Sequence, residues 1–135
     1  MPESYIRGAL TEATYLILLS LCETRHGYAV MQHIASITQG RVNLGIGTLY
    51  GAINLLLDKG WIETVGNDDR RKLYRITAKG KSVLEGEIAR LSELTLLGQG
   101  TFTQIEGADK APAEDGRAGK DKSADGKDGK EEEQR

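Results

Sequence analysis

The chain has 135 residues, of which 39% are hydrophobic and 28% are charged, with a formal net charge of −2, and this length suits one ordinary domain with an appendage. A single cysteine, Cys22, excludes an internal disulfide and any metal site built from several thiolates, so we expect a reducing, cytoplasmic location. We expect no signal peptide and no membrane span, because the most apolar run, residues 15–22, is far shorter than the roughly 20 residues that cross a bilayer.

The modest net charge hides an asymmetry along the chain. Up to Gln104 the sequence has eleven basic and ten acidic residues, whereas the remainder has seven basic and ten acidic ones. The acidic character therefore belongs to the C-terminal part and does not argue against an anionic partner for the rest.

The first predicted helix covers residues 9–22, ALTEATYLILLSLC. Its long apolar side chains leave almost no polar face, so the helix must be covered on more than one side. In so small a domain a second copy of the chain would supply that cover, with Leu16 in the contact. A central helix of the chain's own core is the alternative interpretation.

A second helix is predicted over Tyr28–Ile37. Its apolar side chains recur every three or four residues, as on one face of a helix. Gly27 breaks the pattern of the first helix, and Gly40 is a typical residue to follow the end of the second. We therefore expect two helices separated by a tight turn.

Cys22, His26 and His33 are the residues of this region that could bind a metal ion. The break at Gly27 lies next to His26, so the spacing does not place both histidines on one helix face. A metal-binding interpretation stays open, but we predict that these residues are structurally incidental and that the protein has no metal site and no cofactor.

The third predicted helix covers residues 45–58 and combines an inward apolar stripe with an outward polar surface. The outward side chains of Thr48, Tyr50 and Asn54 suit base edges and phosphates in a DNA major groove. For Tyr50, packing against its neighbours is the alternative. The predicted inward residues are Ile46, Leu49, Ile53, Leu56 and Leu57.

A β-hairpin follows, with strands at residues 61–65 and 73–76 joined by the turn residues of 66–69. Six basic residues and no acidic one lie between Arg70 and Lys81. Such a run beside a helix suited to the major groove favours phosphate binding. The two acidic residues of the turn would either repel phosphates or hold arginines through local ion pairs. The residues to which we assign phosphate binding are Arg70, Arg71 and Lys72.

A fourth helix is predicted from Thr77, a good N-cap, to about Leu97. Apolar side chains recur along it every three or four residues, and so small a body cannot cover its length. The uncovered stripe predicts a homodimer formed against the first and fourth helices of a second copy. The residues assigned to this interface are Leu16, Leu84, Ile88, Leu91 and Leu94.

From about Gly98 the sequence mixes charges with glycine and small residues and lacks apolar periodicity, so we expect disorder. The predicted organisation is a DNA-binding domain over residues 1–77, a dimerisation helix over 78–98 and a disordered charged tail over 99–135. The tail is interpreted as passive and solubilising, or as a competitor with DNA for the basic hairpin.

Two segments resemble the PadR family of winged-helix transcriptional regulators. GTLYGAINLLLDKGWI followed by RRKLYRITAKG is similar to that family's recognition helix and wing. LILLSLCETRHGYAVMQHI is similar to its first two helices, including the His-Gly-Tyr turn. The resemblance covers about residues 9–97. It implies a mostly α-helical fold with a small β-hairpin, in which a winged helix-turn-helix domain precedes a C-terminal dimerisation helix.

The resemblance also implies a function. Paired recognition helices of a homodimer would bind a palindromic operator in double-stranded DNA, with the wings along the backbone. Members of the family mostly repress transcription, and some release DNA when a small hydrophobic or phenolic molecule binds at the dimer interface. In this chain the cleft lined by the first and fourth helices would hold such an effector, although the fourth helix has no aromatic residue to stack on it.

The recognition helix departs from the family pattern at two positions. Gly51 follows the tyrosine where the family usually has proline, and Gly45 stands where many members have a serine N-cap. Glycine lowers helix stability and is a weaker cap than serine. We therefore expect a looser recognition helix.

Enzyme chemistry finds no support in the sequence. We see no glycine-rich phosphate loop, no nucleophile motif and no paired acid and base, so we predict no catalytic residues. The competing hypothesis is a winged-helix module that binds protein instead of DNA. Such a module would not need the basic hairpin, so the six bases favour DNA.

Overall fold

The computed structural model describes residues 8–112, with side chains as far as residue 108. The described part is mostly helical with one small sheet, as predicted, and the chain divides into two units, Met1–Leu91 and Ser92–Arg135. In chain order the elements are α1 (Glu12–Ser20), β1 (Arg25–His26), α2 (Gly27–Ile37), α3 (Ile46–Lys59), β2 (Ile62–Asp68), β3 (Arg71–Ile76) and α4 (Ala78–Pro112).

Helix α1 is buried in the chain's own core. The Thr11 hydroxyl caps it by accepting a hydrogen bond from the Thr14 amide at 3.1 Å. Leu16 is 7% exposed, and Ile17 and Leu18 are fully buried. Burial in the core of a single chain therefore explains why α1 has almost no polar face. Leu16 keeps almost no surface for a second copy, which differs from the interface role predicted for it.

Side chains hold both ends of α2. The His26 ring accepts a hydrogen bond at Nδ1 from the Ala29 amide at 3.2 Å and so acts as the N-cap. At the other end the Thr38 hydroxyl donates to the Ile34 carbonyl at 2.7 Å and accepts from the Val42 amide at 3.1 Å. His26, predicted to be incidental, therefore starts α2.

A three-stranded antiparallel sheet of order β1-β3-β2 replaces the predicted two-stranded hairpin. The additional strand β1 pairs with β3, with Arg25 opposite Tyr74 and His26 opposite Leu73. A strand of two residues has no periodicity that a sequence pattern could reveal. The pairing of β2 with β3 confirms the hairpin itself.

One face of the sheet closes the core. Ile62 and Ile76 oppose each other in β2 and β3, and both are buried together with Tyr74. The core joins α1, α2, α3, the sheet and the start of α4. It consists of Leu16, Ile17, Leu18, Leu21, Val30, Ile34, Leu49, Ile53, Leu56, Trp61, Ile62, Tyr74, Ile76, Val83 and Leu84.

Thr77 is the N-cap of helix α4, as predicted. The Thr77 hydroxyl accepts from the Gly80 amide at 3.1 Å and donates to the Gly60 carbonyl at 2.7 Å. A β-carbon built on Gly80 would lie 2.7 Å from Ile76 Cγ1 and 2.9 Å from the Trp61 carbonyl carbon. Any side chain at this position would therefore push α4 away from the hairpin.

Helix α4 is longer than predicted. We expected it to end near Leu97 and give way to disorder, but it continues to Pro112. Three glycines between residues 98 and 107 resembled a break because each costs about 1 kcal/mol of helix propensity. Phe102 and Ile105 nevertheless continue the helical spacing that Leu94 begins. The predicted tail beyond residue 112 lies outside the described residues.

None of the helices in the described part of the chain is both long enough and apolar enough to cross a membrane.

A buried carboxylate joins the segment before α1 to α4. The Glu87 side chain is 2% exposed and accepts from Arg90 Nε at 2.8 Å, Arg90 Nη2 at 2.6 Å and the Leu10 amide at 3.2 Å. The Arg90 hydrogen bonds hold the pKa of Glu87 below its usual 4.5, against the opposing effect of burial. In the sequence, Glu87 showed only as an acid within an apolar stripe, three residues before an arginine.

The Glu87 pair predicts a pH dependence of stability. The pKa of Glu87 is lower in the folded chain, so its stabilisation is present above about pH 4.5 and is lost as the pH falls through the folded value. Glu87→Gln should lower the free energy of unfolding near pH 7 by roughly 1–2 kcal/mol. It should also flatten the decline in acid, measured by urea unfolding between about pH 3 and 7.

Glu12→Gln is the matched control for this prediction. The hydrogen bond from Arg41 also lowers the pKa of Glu12, but this pair is exposed and its contribution is screened by solvent. Glu12→Gln should therefore leave the acid decline nearly unchanged. A decline of equal steepness in the wild type and in Glu87→Gln would contradict the role of Glu87.

Candidate nucleic-acid interface

Helix α3 begins with open backbone groups. Its N-cap, Gly45, supplies no side-chain hydrogen bond, and the first turn contains no acidic residue. The first amides of the helix therefore have no side-chain acceptor and can donate to an anion such as a phosphate. The other end is closed by Gly60 in the left-handed conformation, with φ of 76°, as predicted.

The inner face of α3 agrees with the prediction except at its first residue. Leu49, Ile53 and Leu56 are buried, and Leu57 is half-buried. Ile46, predicted to face inward, is 62% exposed. Because helical side chains tilt toward the N-terminus, the side chain of the first residue extends past the core instead of into it.

The outer surface of α3 is low and polar. Apart from chain neighbours and the nearby backbone of α3, no heavy atom of the described residues lies within 4 Å of the place where a β-carbon would stand on Gly47 or Gly51. Asn54 is exposed on the same side of the helix, and Thr48 is exposed on its flank. The side chains of Thr48 and Asn54 make no hydrogen bond within residues 8–108. A backbone bare at two positions can approach a base or a phosphate closely.

Tyr50 combines a packing role with an exposed edge. A β-carbon on Gly27 would stand 2.6 Å from Tyr50 Cζ, so the ring lies against the bare backbone at the start of α2. Burial raises the pKa of the Tyr74 hydroxyl in β3, and the nearby Tyr50 adds to this rise. Tyr50 therefore connects α2, α3 and the sheet, as its alternative interpretation expected, and 38% of the residue stays exposed.

The wing, residues 62–76, has an irregular edge and a tight turn. Its register shifts between Thr64 and Gly66, where Val65 forms a bulge. The two residues of the turn, Asp69 and Arg70, have φ of 55° and 75°. A type I′ hairpin turn needs positive φ at both of these positions and favours glycine at the second. An arginine therefore holds a position that suits glycine better.

Acidic residues offset part of the positive charge of the wing. Arg75 Nε donates to Glu63 Oε2 at 2.9 Å across the strand pair, and Arg71 lies 3.8 Å from Asp68. Asp68, predicted as a turn residue, is the last residue of β2, and its contact with Arg71 agrees with the local-pair alternative. The wing is thus less positive than the count of bases indicated. The exposed wing bases without an ion pair in the described residues are Arg70 and Lys72.

The residues predicted for a dimer interface fall into two groups. Leu16 and Leu84 are 7% and 5% exposed and belong to the chain's own core. Ile88 and Leu91 of the first unit and Leu94 of the second are exposed. In the second unit every described side chain, from residue 92 to 108, is exposed. The large apolar ones are Leu94, Leu96, Leu97, Phe102 and Ile105.

A cleft of about 440 Å³ lies between α1 and α4 in the first unit. Two ion pairs, Glu12 with Arg41 and Glu87 with Arg90, border it, and Tyr15 of α1 supplies the aromatic ring that the early part of α4 lacks. The volume is in the range of small-molecule sites. The lining residues are Leu10, Glu12, Tyr15, Leu16, Arg41, Glu87, Arg90 and Leu91.

Comparisons with known proteins agree with this geometry. Residues 16–86 match the model of the transcriptional regulator PadR-like family. An uncharacterized protein of Lysinibacillus sphaericus is 32% identical over 93 residues, which cover 66% of this chain and 84% of that protein. A transcriptional regulator from Clostridium thermocellum is 27% identical with a TM-score of 0.59, covering 76% of this chain and 97% of that one.

A PadR family transcriptional regulator from Eggerthella lenta is 26% identical with a TM-score of 0.52, covering 66% of this chain and 75% of that one. The family match spans more than half of the chain, including α2, α3 and the whole wing. The chain therefore belongs to the PadR-like family of DNA-binding, winged-helix transcriptional regulators.

Proposed function

We propose that the protein is a sequence-specific repressor that binds a palindromic operator as a homodimer and is released by a small hydrophobic or phenolic effector. The observation that carries the DNA-binding part is the exposed outer surface of α3, whose first turn is open to an anion. A dimer seated on a promoter would repress by occupying it. The contacts we propose are Thr48, Tyr50 and Asn54 in the major groove, and Arg70, Arg71 and Lys72 along the backbone.

The geometry of the site supports different roles for α3 and the wing, with base contacts from α3 and phosphate contacts from the wing. Asn54 is exposed and has no hydrogen-bond partner among the described residues, and an asparagine amide can pair with the N6 and N7 edge of adenine. The wing bases would contact phosphates, which position the protein without reading sequence. Tyr50 packs between α2 and the sheet, so the two parts would move onto DNA as one body.

The exposed apolar side chains of α4 support the homodimer. Ile88, Leu91 and Leu94 are uncovered in the single chain, and helices in water owe most of their stability to packing of an apolar face. A second copy would cover these side chains through the same patch, as two-fold symmetry requires. Two-fold symmetry of the protein in turn predicts inverted half-sites in the operator.

The cleft between α1 and α4 supports an effector site at the dimer interface. Tyr15 offers a ring for stacking, and Leu10, Leu16 and Leu91 offer apolar surface to a hydrophobic molecule. Because Leu91 both lines this cleft and is exposed beside Ile88, a bound molecule would touch the surface proposed for dimerisation. Binding there would change how the two copies meet.

Replacing the wing bases tests DNA binding. Arg70→Ala, Arg71→Ala and Lys72→Ala combined should weaken binding to genomic fragments captured by the purified protein. The slope of log affinity against log salt should become shallower by about 2 to 3, because each phosphate contact contributes about 0.9. Fluorescence anisotropy titrations between about 50 and 200 mM salt measure both quantities.

Single substitutions on β3 provide the comparison. Lys72→Ala should reduce the salt slope more than Arg75→Ala does, because Arg75 already pairs with Glu63 at 2.9 Å. Unchanged affinity and an unchanged slope in the triple variant would overturn the DNA role of the wing and favour a module that binds protein.

Charge introduced on α4 tests the homodimer. Ile88→Glu with Leu94→Glu should convert the protein to a monomer in sedimentation velocity and weaken its binding to an inverted repeat, because two like charges would face their copies across the interface. Leu96→Glu is the control, since Leu96 is exposed but lies two residues from Leu94, on the opposite side of the helix. A monomeric wild type, or a dimeric double variant, would refute the proposed interface.

Thermal unfolding tests the effector. A phenolic acid or hydrophobic drug that binds the folded protein should raise its Tm by a few degrees at a concentration well above Kd and release operator DNA. Tyr15→Ala should remove the shift, whereas Tyr28→Ala, at an exposed tyrosine outside the cleft, should keep it. A shift retained in Tyr15→Ala would place the effector elsewhere, and no shift with any compound would remove the effector from the proposal.

A further inference from the structure

Ile46 is an apolar residue whose exposed side chain does not add to the core of the folded chain. It is the first residue of α3 and is 62% exposed. A β-branched side chain is a weaker helix former than most residues, and glycine, serine or proline are common near a helix start. Neither stability of the core nor capping of α3 therefore explains an isoleucine at this position.

Leu55 is the other exposed aliphatic residue of α3, and its neighbours explain why an apolar side chain stands there. Leu55 lines a small hollow together with Leu10, Thr14 and Trp61, so its side chain lies beside the core. Leu55 follows Ile46 by nine residues, which places the two side chains on opposite sides of the helix. Ile46 lies instead beside the exposed edge of Tyr50, one helical turn further on.

The helix surface beside Ile46 carries little side-chain bulk. Gly47, the next residue of the helix, presents bare backbone there: apart from its chain neighbours and the nearby backbone of α3, no heavy atom of the described residues lies within 4 Å of its β-carbon position. The first residues of a recognition helix are those that contact base edges in the major groove. Among the groups exposed there, the C5 methyl of thymine is the apolar one, and it is recognised by apolar side chains.

We propose that Ile46 selects thymine in each half-site of the operator by packing on the C5 methyl group. This inference rests on the proposed DNA-binding function and adds to it a specificity-determining residue that makes no hydrogen bond. Asn54 would then read an adenine through its amide while Ile46 reads a thymine through its methyl group, so each half-site would contain at least one A·T pair read by α3.

Deoxyuridine substitution tests the proposal, because it removes the methyl group and keeps every hydrogen-bonding atom of thymine. An operator is first selected from a random DNA pool with the full-length protein. Each thymine of its half-site is then replaced by deoxyuridine in turn, at both symmetric positions. Affinity of the wild type should fall roughly ten- to twentyfold at one position, as expected for the loss of two buried methyl groups, one in each half-site.

Two variants complete the test. Ile46→Ala should bind the thymine and deoxyuridine operators with equal affinity, and its unfolding temperature should match that of the wild type because the residue is exposed. Leu55→Ala should keep the full preference for thymine. An Ile46→Ala protein that still discriminates, or a wild type that tolerates deoxyuridine everywhere, would overturn the role of Ile46 while leaving DNA binding intact. If no sequence is enriched from the pool, the proposed function itself fails.

Discussion

The contact between Gly27 and the ring of Tyr50 determines how α3 is held on the rest of the domain. Because Gly27 has no side chain, the ring reaches the backbone of α2 and lies near Tyr74 of β3 as well. His26, one residue earlier, caps α2 and pairs with Leu73 of the same strand. Two adjacent residues thus join α2, α3 and the wing. This explains physically why a histidine and a glycine precede Tyr28 in the turn.

Helix α3 depends on packing more than on its own propensity. Gly47 and Gly51 each cost about 1 kcal/mol relative to alanine, and Gly45 adds no side-chain cap. Burial of Leu49, Ile53 and Leu56 contributes about 1.5–3 kcal/mol per side chain and offsets these losses. The surface proposed for DNA is therefore the part of the helix that adds least to stability, which is consistent with a surface shaped for contact.

Elements whose apolar residues recur over several helical turns could be predicted from the sequence. Features that depend on the three-dimensional surroundings of a residue could not. The periodic stripes located α2, α3 and the start of α4 correctly, and the turn chemistry indicated the hairpin, but the turn itself lies at Asp69 and Arg70, because β2 continues through Asp68. Strand β1 is too short to show a pattern. The sequence predicted a helix that starts at Ile46 but could not show that this side chain extends past the core, or that the core of one chain already covers Leu16.

The positions of the charged residues could likewise be read from the sequence, but their ion-pair partners could not. The run of bases from Arg70 onward was visible in the sequence, but its partners were not, because Glu63 meets Arg75 only through the register of β2 and β3. Glu87 similarly depends on Arg90 and on a Leu10 amide 77 positions away in the chain. Ion pairs between distant segments require the fold before they can be identified.

At Arg70, in the turn of the wing, two requirements oppose each other: folding of the hairpin and the proposed binding of DNA. Arg70 has φ of 75°, a conformation that costs a side-chain-bearing residue about 1–2 kcal/mol and costs glycine nothing. A change to glycine would ease the hairpin and remove a guanidinium from its tip. If Arg70 contacts DNA as proposed, glycine at this position would exchange affinity for DNA for an easier hairpin turn, so natural variation at position 70 would show which of the two requirements is stricter.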